Sequence, residues 1–321
     1  MENQEEKYIV CVDRAGIGNR LKGLISAIRL SEIMGRKLLL YWENNQYCGC
    51  NFNDLFENRF EEITKKELKE IKKKNSRVYR DVLEEDYNQY DYLIFDTWKF
   101  LFLPEEISEK FSKVYPSKEG RNIDFEFERI PLEIRGALLS KLLELKPNKE
   151  ILDDVDNFNK KYSLKDYVGL QIRRGDNRFT VDGREKISSD EKFIEIIKSK
   201  PNEKFFVSTD GPEIEKKIKE LFGERIISYP KESLKRSQKE AIKGALIDML
   251  ILSKTKYIYG SYLSTFFELG WWFGGCKAGI RVVGIEDVKE KANPITFYEK
   301  VWRKIKFYKV NFQRWFFGSY K

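Results

Sequence analysis

The chain has 321 residues, 41% of them hydrophobic, with 60 basic and 52 acidic side chains and no histidine. That length makes two domains the starting expectation, and no apolar run approaches the roughly 18–20 residues of a membrane span. Without histidine there is no Ser-His-Asp or Cys-His nucleophile and no His-ligated metal, so proton transfer falls to a carboxylate, Lys, Tyr or the substrate itself.

The net charge is +8, and +6 of it lies in the last 26 residues, which argues against nucleic acid as a general partner. Cys11, Cys48, Cys50 and Cys276 are too scattered for a disulfide framework or a metal site and read as reduced thiols. The opening "MENQEEKYIVCV" is too acidic and polar for a secretory signal, so the expected location is cytoplasmic.

In chain order, residues 7–13 (KYIVCVD) read as a strand and 14–20 (RAGIGNR) as a loop. A helix with Leu21, Leu24, Ile25, Ile28 and Leu30 at helical spacing follows and ends at Gly35. Residues 36–43 are a second strand, and this β-α-β opening favours a parallel sheet. Residues 60–150 read as a charged, mostly helical stretch with one strand at 90–96. "KPNKE" (146–150) carries turn signals and marks the expected boundary between a first domain, 1–150, and a second, 151–290.

Beyond it the alternation is cleaner. Strands are expected at 167–172, 204–208, 225–228, 256–260 and 279–285. Helices are expected at 189–199, in "TDGPEIEKKIKELFG" with Asp210 as cap and Pro212 in the first turn, at 238–254 and at 263–274. This is a Rossmann-like unit, followed by a tail over 291–321.

Open α/β sheets hold ligands outside the carboxyl ends of their strands. Three polar clusters lie there: residues 171–176, 208–210 and 260–265. Arg173 and Arg174 alternate across a strand end, so that one faces a cleft and the other packs or pairs behind it. A guanidinium suits a phosphate, while an internal salt bridge, with Asp176 as partner, is the plainer account. "GSYLST" (260–265) puts hydroxyls and free N–H groups at a helix start, which suits an anion and also an ordinary Ser/Thr cap. Asp248 stands among apolar neighbours in "GALIDMLILS", where a carboxylate is costly unless paired. Either the helix turns it toward solvent or an internal Arg, or it accepts adjacent N–H donors such as a guanine edge.

The succession "QIRRGD", "VSTDGP" and "ALIDMLILSKTKYIYGSYLSTFFELG" resembles the three peptide motifs of the GDP-fucose-dependent fucosyltransferase superfamily. The opening "AGIGNRLKGLISAIRLSEIMGRKLLL" is similar to that group's G-x-G-N loop and helix. The resemblance covers roughly residues 8–43 and 165–285. It implies an α/β enzyme of GT-B architecture, two Rossmann-like domains facing across a cleft, inverting, with no metal and no cofactor beyond the GDP-sugar donor. It implies donor contacts from Gly16, Gly18, Asn19, Arg20, Gln171, Asp210, Ser264 and Thr265, with Arg173 on the β-phosphate and Asp248 on the guanine edge. Gln171 departs from the family, many of whose members have His there, which touches base identity or affinity.

The chemistry suits these residues independently. Displacing GDP from an anomeric carbon calls for positive charge on the leaving diphosphate, which Arg173 and helix N–H groups supply. The base for the acceptor hydroxyl is one of Asp176, Asp182 and Glu185, with Asp13 at the end of the first strand as a fourth candidate facing the cleft.

Other readings stay open. "DDVD" holds Asp154-x-Asp156, a metal pattern of other glycosyltransferases, but on a helical pattern that reads as a solvated face. "GIGNRL" with Glu43 keeps an NAD-linked Rossmann enzyme in play, although Leu21 stands where that fingerprint wants Gly or Ala. Transfer of another nucleotide-activated sugar and a non-catalytic membrane- or nucleic-acid-binding module are the remaining alternatives. The tail from 296 to 321 mixes aromatics with Lys and Arg: it either touches a membrane surface, which suits a lipid-linked glycan acceptor, or packs back on the first domain.

Overall fold

A computed structural model describes residues 6–80, 83–97, 99–106, 130–175 and 184–286. β1 (Tyr8–Asp13) is the centre of the first sheet. It runs parallel to β2 (Lys37–Trp42) on one side and β5 (Tyr92–Phe95) on the other. Its Ile9–Val12 stretch is buried on both faces, as a strand covered on each side requires. Between β1 and β2, α1 (Ile17–Met34) buries Leu21, Leu24, Ile25 and Leu30. Gly35, at φ 61°, ends that helix in the left-handed region that glycine enters without strain.

The stretch after residue 60 is less helical than its charge suggests. β3 (Glu61–Glu62), α2 (Lys65–Ile71) and β4 (Ser76–Tyr79) precede β5, and the sheet order is β3-β2-β1-β5-β4. Both edge strands pair through the backbone alone: β3 is two exposed glutamates, and β4 exposes Arg77 and Val78. Such edges carry no hydrophobic alternation to read.

α3 (Leu132–Leu143) and α4 (Lys149–Tyr162) lead to the second sheet. Asp154 and Asp156 lie on α4. The sheet contains β6 (Tyr167–Ile172), β7 (Lys204–Thr209), β8 (Ile226–Ile227), β9 (Tyr257–Gly260) and β10 (Gly279–Val282). The order is β10-β9-β6-β7-β8, all parallel. The intervening helices are α5 (Arg184–Ile187), α6 (Asp190–Lys198), α7 (Pro212–Phe222), α8 (Lys239–Leu252) and α9 (Thr265–Phe273).

Strand alternation sorts these helices. Val168, Leu170, Ile172, Phe205 and Val207 form one core with Phe193 and Ile197 of α6 and Ile214 and Ile218 of α7. The other face carries Gly169, Gln171, Phe206 and Ser208. Gly169 lies against Leu252 of α8, and Phe206 packs edge-on to Phe158 of α4. Gln171 and Ser208 are in register on neighbouring strands.

Through Val283 the chain forms one compact unit holding both sheets; a second unit begins at Gly284. The two lobes of the first unit meet tightly. A Cβ on Gly18 would stand 3.1 Å from Thr265 Oγ1, and one on Gly49 would sit 2.1 Å from the backbone of Ser237. Lys22 of α1 and Glu268 of α9 form a buried ion pair at 2.5 Å across this seam. Phe100 and Trp272 meet there too, with ring centres 5.2 Å apart.

Candidate functional site

Of the predicted residues, Gln171, Arg173 and Arg174 lie at the carboxyl end of β6, Asp210 follows β7, Ser264 and Thr265 follow β9 at the start of α9, and Asp248 is on α8. Arg174 belongs to the inner face. Its guanidinium donates to Asp190 at 2.8 Å and to the Ser188 and Arg173 carbonyls, 5.9 Å from the Phe193 ring centre. Arg173 takes the opposite parity, that of Gln171 and Ser208, which is the face covered by α4 and α8. Its own N–H donates to Ser261 Oγ at 2.9 Å.

Asp210 does not cap α7; Gly211 occupies the cap position without a side-chain bond. Its carboxylate instead accepts the Arg174 N–H at 2.6 Å and the Arg236 guanidinium at 2.9 Å. Burial pushes its pKa up, but the Arg174 and Gly175 N–H groups and the charges of Arg173 and Arg236 outweigh that and hold it below the usual value. Such contact explains the glycines. A Cβ on Gly175 would come within 2.7 Å of Asp210, and one on Gly211 within 2.8 Å of Arg174.

Asp248 of α8 is 2% exposed and turns to neither solvent nor an arginine. One oxygen, Oδ2, accepts from Ser208 Oγ at 2.7 Å and pairs with Lys231 Nζ at 2.8 Å. Oδ1 has no hydrogen-bond partner among the described residues. The same holds for Gln171 Oε1 and for Ser264 Oγ. Ser264 is the N-cap residue of α9 yet makes no capping bond, so the ordinary cap does not account for it. A buried acceptor left unpaired costs about 1–3 kcal/mol, and three within the motif-bearing stretches leave room for ligand contacts.

The first lobe contributes its glycine loop. Gly16 is the N-cap residue of α1, and Gly18 lies against Thr265, so the N-termini of α1 and α9 converge across the seam. Asn19 Oδ1 is buried there without a hydrogen-bond partner among the described residues. Arg20 is engaged by its own lobe. It donates to the Ala15 and Glu43 carbonyls at 2.5 and 2.7 Å and stacks 4.7 Å from the Trp42 ring centre.

Asp13 corrects an expectation. It is not open to the cleft but 1% exposed, with Oδ1 beside Gly23 and the Thr97 carbonyl nearby. Burial raises its pKa to about 8 against the opposing charge of Arg20. The base candidates Asp176 and Asp182 and the side chain of Glu185 lie outside the described residues, as does the basic aromatic tail.

Sequence reasoning missed Lys231, Lys235 and Arg236. They sit in "YPKESLKRSQKE", a charged stretch with no period. A cavity of about 360 Å³ opens between Gln46 and Tyr47 of the first lobe and Gly175, Asp210 and residues 234–236 of the second. Arg173 and Asp248 do not line it. Arg173 follows the end of β6, and Asp248 lies on α8, joined to β7 through Ser208.

No protein-family profile matches the chain, and no curated protein sequence matches it. Solved structures do. The NodZ α-1,6-fucosyltransferase co-crystallised with GDP matches with a TM-score of 0.53 at 15% identity, over 83% of this chain and 92% of that one. NodZ has also been solved from Bradyrhizobium. A FUT1 variant from Arabidopsis thaliana in complex with GDP gives 0.53 at 17% identity, over 87% of this chain and 71% of that one. The apo form of POFUT1 gives 0.50 at 15% identity, over 87% and 98%. The chain therefore shares the α/β fold of these solved structures.

Proposed function

We propose that this chain is an inverting, metal-independent glycosyltransferase that moves fucose or a related sugar from a GDP-sugar to a glycan hydroxyl. One observation carries the reading: Gln171 Oε1, Asp248 Oδ1 and Ser264 Oγ, one in each of β6, α8 and the N-cap of α9, are buried without hydrogen-bond partners among the described residues, within the stretches that carry the motifs. Asp248 accepts from the guanine edge. Gln171 contacts the nucleotide in the place where many relatives use His. Arg173 and the N–H groups at the start of α9, with Ser264 and Thr265, hold the diphosphate.

In the reaction the acceptor oxygen attacks the anomeric carbon from the face opposite the phosphate. The carbon–phosphate oxygen bond breaks, GDP leaves with the electron pair, and the acceptor proton passes to a carboxylate. With Asp13 sealed, that base falls to Asp176, Asp182 or Glu185. Arg173 stabilises charge that grows as GDP departs, so its removal lowers turnover more than it weakens donor binding. The cytoplasmic face of a membrane, reached through residues 296–321, suits a lipid-linked acceptor.

Thermal shift against GDP, UDP, CDP and NAD tests the reading. A GDP-selective rise, lost in Arg173→Ala and Asp248→Ala, supports it, as does release of GDP from GDP-fucose in the presence of EDTA. A response to NAD alone would reject it. A response to UDP or CDP in place of GDP would select the second reading, another nucleotide-sugar, which the Gln171 departure favours.

A further inference from the structure

Asp248 is a poor reader of N–H donors unless something keeps it charged. It lies in an apolar helix face, and burial, the largest influence, holds its pKa above the usual carboxylate value against the pull of Lys231 and Ser208. A protonated carboxyl presents an O–H and would repel the N–H donors of a guanine edge. The groups facing it are few. Ser208 comes from β7, Lys231 from the stretch after β8, and Glu215 from α7 adds a like charge. Tyr229 stands nearby with its hydroxyl spent on Asp154 of α4 at 2.9 Å. Among the described residues Lys231 is the only cation ion-paired with Asp248. Its side chain is 9% exposed, and its Nζ lies 2.8 Å from Oδ2, leaving Oδ1 for a further donor.

We infer that Lys231 is a positioning residue of the base site: by pairing with Oδ2 it keeps Asp248 ionised, so that Oδ1 accepts an N–H from the edge of the nucleotide base. This rests on the function proposed above and adds a residue outside its three motifs. It also says which bases fit. Guanine offers adjacent N1–H and N2–H2 donors on that edge, whereas adenine offers only N6–H2 beside a ring N1 acceptor and makes the poorer partner.

The test measures GDP affinity by calorimetry from pH 6.5 to 8.5, where the wild type holds a flat profile. Lys231→Met binds GDP about ten- to hundred-fold more weakly at pH 6.5, the worth of a hydrogen bond to a charged group. Its affinity recovers as rising pH ionises Asp248. Lys231→Arg stays flat, and Lys231→Met/Asp248→Asn loses the pH dependence because nothing there titrates. Melting curves establish that each variant is folded, with Lys231→Arg serving if the methionine variant is not: a pH-dependent loss in that variant, whose cation is intact, would overturn the inference. Undiminished affinity in Lys231→Met, or a loss by the same factor at every pH, would also overturn it and leave the lysine a packing residue. A wild type that ignores GDP sinks the function proposed above and this inference together, whereas a wild type that binds GDP with a flat Lys231→Met profile sinks the inference alone.

Discussion

Three acids are buried near the strand ends of this protein, and they are treated differently. Asp13, on the central strand of the first sheet, has no cation in its bonding shell among the described residues, and its pKa climbs to about 8. Asp248, over the second sheet, feels the same burial, and its pKa also stands above the usual carboxylate value although Lys231 and Ser208 pull it down. Glu268, at the seam between the lobes, meets Lys22 at 2.5 Å. Burial alone therefore does not define a site. Asp13 is silenced by taking a proton, Glu268 by an ion pair that staples two helices. Asp13 Oδ1, like Asp248 Oδ1, has no hydrogen-bond partner among the described residues, so an unpaired oxygen does not by itself mark a site. Asp248 is set apart by its company, a lysine on its other oxygen and Ser208, in register with Gln171, beside it.

Breaking the staple should have the largest effect on stability. Lys22 is 1% exposed in its side chain and stands 4.9 Å from the Phe100 ring centre, so Lys22→Met leaves Glu268 buried without that cation. A loss of about 3–5 kcal/mol is expected in urea denaturation, and pairing the change with Glu268→Leu should restore most of it. If Lys22→Met alone is neutral, the seam is held by packing and the contrast with Asp248 weakens.

Asp13→Asn sharpens the comparison from the other side. A carboxyl raised from 3.8 to about 8 on folding contributes stability that is complete below pH 3.8 and is lost as pH rises through 8. The variant should match the wild type near pH 4 and melt progressively higher than it up to pH 8, by several degrees. A constant offset across that range would mean the carboxyl is ionised in the fold after all.

Much of this was legible in sequence because it is local. Period-two alternation separates Arg173 from Arg174, and the apolar run around Asp248 advertises an acid out of place. The first loop declares itself through Gly16 and Gly18, although Gly18 serves close approach to Thr265 as much as phosphate access. What stayed hidden depends on long-range contact. Lys231 meets Asp248 only because the stretch after β8 folds over α8, and nothing in a charged, aperiodic segment announces that. Asp13 looks cleft-facing from its strand-end position, and only the approach of Gly23 and the Thr97 carbonyl seals it. β3 and β4 were missed because edge strands paired through the backbone need no hydrophobic pattern.

The smallest expected effect belongs to the exposed counterpart of these pairs. Arg14 and Asp96 are brought together because β1 and β5 are parallel neighbours whose carboxyl ends coincide. Their side chains are 43% and 21% exposed, so water screens the attraction and ordering the arginine cancels part of the gain. Asp96→Asn should cost under about 1 kcal/mol and lose even that at 1 M salt, where the screening length falls to about 3 Å. The Lys22 and Glu268 variants should respond far less to salt, since the ions cannot reach that pair. A large, salt-independent loss in Asp96→Asn would show that Arg14 holds the end of the first sheet in place, and the line drawn here between buried and exposed pairs would have to move to include it.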